Sequence, residues 1–167
     1  FNVATKQFEY TGVYSRSDNP KEQKWERTPL PDWYKEVQKK WKAYDKKRKE
    51  DDPEFYDEQL EAYKKQEWYR RLNGYWFMNN GQPTFITPKN YFYLQWWKLE
   101  DDIHPEYRDL DRRYFLFLNH WENTSWCLGA LIGKKRRQGA TSVATSNIVY
   151  ECIFFKNSFC GLTSKSQ

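Results

Sequence analysis

Lys134, Arg137, Gly139 and Thr141 fall in the run "LIGKKRRQGATSVATS" (residues 131–146), where four consecutive cations, a glycine and a pair of hydroxyls follow an apolar stretch. Residues of these types suit one task above others, the holding of a polyphosphate. Backbone N–H groups must converge on it, and a glycine lets the chain turn tightly at a helix start. A cation must stand over the β and γ phosphates, and a hydroxyl on the first helical turn must reach Mg2+. Gly139 supplies the turn, Thr141 follows two residues later at the hydroxyl position, and Ser142 is a second candidate beside it. The lysine that usually separates glycine from hydroxyl is missing, because Ala140 fills that slot. The electrostatic requirement does not fix where along the loop the cation lies. Lys134, five residues before Gly139, can curl back over the phosphates, with Lys135, Arg136, Arg137 and Gln138 completing the loop. The competing reading is an ordinary basic surface turn.

Such a loop needs a strand before it and a helix after it. "WCLGALI" (126–132) is a short continuous apolar run of the kind found in a doubly covered parallel strand. After the loop, Ala144, Ile148, Cys152 and Phe155 recur at helical spacing, and "FCGLTS" (159–164) reads as a second strand. Strand, loop, helix and strand make a βαβ unit, so the expected class is α/β, the start of a P-loop NTPase parallel sheet. Four cations would then gather at the carboxyl edge of that sheet, where α/β folds take ligands.

The preceding region reads as mostly helical and rich in aromatics. Residues 1–30 show no clear period and form a lead-in. Trp33, Val37, Trp41 and Tyr44 recur at spacings of four, four and three, which predicts a helix opened by Asp32. Pro53 reopens a helix in which Tyr56, Leu60 and Tyr63 carry the stripe, and Asn73-Gly74 reads as its stop. Residues 31–71 hold 12 Lys/Arg against 11 Asp/Glu, a mixed-charge helical hairpin rather than a basic arm. "YWFMNNGQPTFI" predicts a β-hairpin turning at Asn80-Gly81. Thr87 and Pro88 then cap a third helix. "HPEYRDLDRRYFLFLNHWEN" predicts another, with Tyr107, Leu110, Tyr114 and Leu118 on one face. The expected division is 1–100 for the helical and hairpin region and 101–167 for the start of the ATPase domain.

Composition sets bounds on this reading. Aromatics are 20% of the chain and hydrophobic residues 38%, so large rings must build the core. With 31% charged residues and a mean hydropathy of −1.10, no apolar run approaches a membrane span. A net charge of +5 permits a polyanionic partner without requiring one. Cys127, Cys152 and Cys160 form no CxxC pair, which favours a reducing compartment. His104 and His120 lack ligand neighbours at zinc spacing. The chain opens at Phe1 without a charged-then-apolar leader and stops at "CGLTSKSQ", so the expectation is a piece of a longer protein with no secretory signal.

"GKKRRQGATS" after "WCLGALI" resembles the deviant Walker A loop of the large terminase subunits of tailed bacteriophages, in which the lysine is displaced to the start of the loop. Lys134, Arg137, Gly139 and Thr141 fit that pattern position by position. The likeness is strongest over 126–167 and weaker over about 75–123, while residues 1–74 match nothing in the family. The resemblance implies an ATP- and Mg2+-dependent motor that drives double-stranded DNA into a procapsid. It implies a homo-oligomeric ring, a portal protein and a small terminase subunit as partners, and a host-cell cytoplasmic setting. It also implies Walker B carboxylates and a metal-dependent nuclease beyond Gln167, so this stretch alone would not turn ATP over. In that frame Lys134 and Arg137 act on the phosphates, residues 136–141 cradle them and Thr141 binds Mg2+. Tyr107, Arg108 or Gln95 are candidates to contact the adenine. Asp101, Asp102, Asp109 and Asp111 precede the loop and read as capping or surface acids.

Two other functions fit the same residues. A non-enzymatic nucleic-acid-binding module would grip phosphates with the basic run and stack bases on Trp and Tyr. Another P-loop NTPase, a helicase or recombination ATPase, would ordinarily keep the lysine at the Ala140 position.

Overall fold

The computed structural model describes Trp25, Arg27, Thr163 and residues 30–47, 56–79, 82–133 and 139–161. Among these residues the protein is mostly helical, with five α-helices and one antiparallel hairpin. Helix α1 spans Asp32–Lys47, with an acid in its first turn and Lys46 and Lys47 in its last, the polarity that suits a helix dipole. Val37 is its buried residue, while Trp41, placed on the same stripe, is 45% exposed. Helix α2, Glu58–Asn73, starts where the Asp57 carboxylate accepts the Leu60 N–H at 2.9 Å. It stops at Gly74, whose φ of 82° is a conformation that glycine adopts without strain. Tyr56 lies before α2 and is exposed; Pro53 and the Asn80-Gly81 turn lie outside the described residues.

Strands β1 (Tyr75–Asn79) and β2 (Gln82–Ile86) pair antiparallel, with Tyr75 opposite Ile86 and Asn79 opposite Gln82. Thr87 then caps helix α3, Pro88–Gln95, with Pro88 in the first turn as the sequence suggested. Every residue from Lys89 to Gln95 is buried. This short helix is the hub: α2, α4 (Asp109–Glu122) and α5 (Ala140–Phe154) all pack against it. Ile86, Tyr91, Tyr93, Leu94, Tyr107, Phe115 and Val143 form the core, with Trp25 edge-on against Tyr75, Phe77 and Tyr91. Arg112 Nε donates to the Phe85 carbonyl at 2.8 Å and ties α4 to the hairpin.

Three expectations are corrected. The described residues contain no parallel sheet: 126–132 and 158–161 run without ladder partners, and Leu128, Leu131 and Phe159 stand fully exposed. An apolar run becomes a strand only when neighbouring strands take up its backbone N–H and C=O groups, and here none does. Helix α4 begins at Asp109, so Tyr107 precedes it, and Leu110 faces out while Asp111 and Phe115 face in. In α5 the buried side is Val143, Ser146 and Tyr150, with Cys152 and Phe155 exposed.

Candidate functional site

The sequence places the candidate site at the start of α5, and Gly139 is the residue that shapes it. Its φ of +73° is left-handed, and α5 begins at the next residue. Thr141 is exposed on the first turn and Val143 is buried in the core, so the helix is rooted one residue beyond the hydroxyl pair. Ser142 is occupied: Trp97 Nε1 donates to its Oγ at 2.9 Å, and the Tyr93 hydroxyl also hydrogen-bonds to it. Of the two hydroxyls proposed for Mg2+, Thr141 is therefore the one turned to solvent. Lys134, Lys135, Arg136, Arg137 and Gln138 lie outside the described residues.

Two groups from the start of α4 stand against this turn. Arg108 donates to both Asp111 oxygens, Nε at 2.7 Å and Nη2 at 2.8 Å. A methyl group on Gly139 would stand 3.3 Å from Arg108 Nη2, so the guanidinium lies against the left-handed residue itself. Burial raises the Asp111 carboxyl above its ordinary pKa, with Arg108 opposing the shift. The Arg108 guanidinium is held still more firmly protonated by its bond to Asp111. Between Asp111, Tyr114, Ile132, Gly133, Ala140 and Val143 lies a recess of about 100 Å3.

The structure sorts the remaining candidates. Arg108 reaches the start of α5, whereas Tyr107 and Gln95 are buried, Tyr107 within the core cluster. Asp101 and Asp102 are exposed, and Lys98 pairs with Asp102 at 3.0 Å. Asp109 and Asp111 are not surface acids: both are buried, and Arg113 Nε reaches Asp109 at 2.7 Å. Sequence reasoning missed Trp97, Tyr93 and the Arg108–Asp111 pair. "RDLDRR" did carry a signal for the last, since arginine and aspartate three and four apart meet on one helix face. No family model, no curated protein and no solved structure matches the chain.

Proposed function

We propose that the chain carries the ATP-binding segment of a DNA-packaging motor of the large terminase type. The observation that carries this reading is the left-handed Gly139 immediately ahead of a helix whose first turn offers an exposed Thr141 hydroxyl, directly after a run of four cations. A phosphate loop needs that order of backbone turn, helix N-terminus and hydroxyl. The sheet that such a loop ordinarily joins is not among the described residues, where 126–132 and 158–161 are largely exposed and unpaired.

In this reading Lys134 and Arg137 bear on the β and γ phosphates, Lys135, Arg136, Gln138 and Ala140 contribute backbone to the cradle, and Thr141 ligates Mg2+. The metal neutralises charge on the phosphates. Double-stranded DNA as the substrate, a ring on a portal protein, a small terminase subunit, a nuclease and a host cytoplasmic location follow from the same resemblance.

The test is Mg2+-dependent binding of a fluorescent ATP analogue to the intact chain. Lys134→Ala should abolish it, and Thr141→Ala should weaken it and leave the remaining binding independent of Mg2+. Undiminished binding by Lys134→Ala would sink the assignment.

A further inference from the structure

Between α1, α2 and the end of α3 lies an open groove of about 720 Å3, within the size class of ligand clefts, roughly 300–1,000 Å3. None of the residues assigned to phosphate binding lines it. Its walls combine flat rings with positive charge. Trp68 is 51% exposed although Phe154 braces it at 5.3 Å, and Tyr69 beside it is 66% exposed. Further along α2 the Arg71 guanidinium lies 4.2 Å over the Trp96 ring at the end of α3. Lys64 and Lys65 stand at the rim, Lys64 in an exposed pair with Glu61 at 2.7 Å that a phosphate would exchange for. The acid of the groove, Glu67, is spent internally: it is buried, accepts the Tyr91 hydroxyl at 2.8 Å and pairs with Arg70 at 3.1 Å and with Arg71 at 3.8 Å.

We infer that this groove binds single-stranded nucleic acid, with bases stacked on Trp68 and Tyr69 and backbone phosphates held by Lys64 and Lys65. A duplex hides its base faces, so exposed rings reward only an unpaired strand. Lysines beside the rings match a chain whose charge and rings alternate. An apolar peptide would leave the cations unused, and an acidic one would leave the rings unused. Because Phe154 holds Trp68 in place, part of the ordering cost of stacking is met before the strand arrives.

The experiment is fluorescence anisotropy of a labelled oligothymidylate with the intact chain, without ATP, over a salt series. Saturable binding that weakens with salt is expected. Trp68→Ala should weaken it about tenfold or more, and Trp68→Phe, which keeps the fold and a ring, should retain most of it. Lys65→Gln should lower the slope of log affinity against log salt by about 0.7, one phosphate contact. Absence of saturable binding overturns the proposal. So does binding indifferent to Trp68→Ala and Lys65→Gln but lost when residues 134–137 are neutralised, which would place the strand on the basic run. An extended acidic peptide that displaces the oligonucleotide from the groove overturns it too.

Discussion

The Trp97 indole donates its N–H to the Ser142 hydroxyl over 2.9 Å, joining the segment after α3 to the first turn of α5. That bond removes Ser142 from the pair of hydroxyls a Mg2+ ion could use and leaves Thr141. Ser142→Ala is therefore expected to preserve Mg2+-nucleotide affinity while costing about 1 kcal/mol of stability. Thr141→Ala should do the reverse. Nucleotide titration and denaturant unfolding on the same two variants check the division, and equal loss of affinity in both would refute it.

Gly139 and Gly74 both sit at positive φ, yet their substitutions should differ sharply. At Gly139 an added methyl meets only the outer nitrogen of Arg108, the end of a flexible side chain, at 3.3 Å. Gly139→Ala should cost about 1–2 kcal/mol, the left-handed penalty alone. At Gly74 the methyl would collide with the Ile86 carbonyl oxygen and stand 2.7 Å from the Phe85 ring. Gly74→Ala must therefore push the hairpin off α2, at about 4 kcal/mol or more. Thermal melts of the two variants give the comparison.

That contrast also marks what the sequence could tell. Element ends governed by local chemistry were legible, such as the Asn73-Gly74 stop and the Thr87-Pro88 start, because each depends on a residue or two. The choice of buried face was not. In α4, Arg108 and Arg113 neutralise Asp111 and Asp109, so acids go inward in place of Leu110. In α5 apolar residues surround the helix, and no stripe stands out. Ser146 can be buried there because its hydroxyl bonds to the Val143 carbonyl of its own helix at 2.8 Å. For the segment 126–132, composition suggested a strand, but pairing depends on neighbours that no local pattern specifies. The start of α5 was legible as a turn-and-hydroxyl motif, whereas its clamp of Trp97, Tyr93 and Arg108 comes from residues 31–49 positions away.

Glu67 concentrates four contacts in a buried position: the Tyr91 hydroxyl donates to both of its oxygens, Arg70 Nη1 lies at 3.1 Å and Arg71 Nε at 3.8 Å. Glu67→Gln keeps the shape but leaves Arg70, itself largely covered, without its counter-charge. The expected loss is about 2–4 kcal/mol, most of it the cost of the stranded cation. A Glu67→Gln, Arg70→Gln double variant should recover part of that loss. Chemical denaturation of the wild type, both single variants and the double closes the cycle, and strict additivity would show that the two side chains are not coupled.

Three buried tyrosines, Tyr91, Tyr107 and Tyr150, predict how the fold fails in alkali. Burial is the main cause that raises each above its ordinary pKa near 10, with Glu67, Asp109 and Glu151 respectively adding to it. The folded state therefore keeps protons that the unfolded chain releases above pH 10. Their contribution to stability is intact below the unfolded value and is lost as pH rises through and beyond it. Each tyrosine removes about 1.4 kcal/mol per pH unit in that window, and the three together about 4. Equilibrium unfolding measured between about pH 9 and about pH 11.5 should show a steep fall, with tyrosinate absorbance of these rings appearing only on unfolding. Tyr150→Phe gives up the hydroxyl's 2.6 Å bond to the Arg71 carbonyl, so it starts less stable at neutral pH. Its alkaline slope should nevertheless be shallower by about 1.4 kcal/mol per pH unit. An unchanged slope in that variant would mean that the Tyr150 hydroxyl titrates as freely in the folded protein as in the unfolded chain.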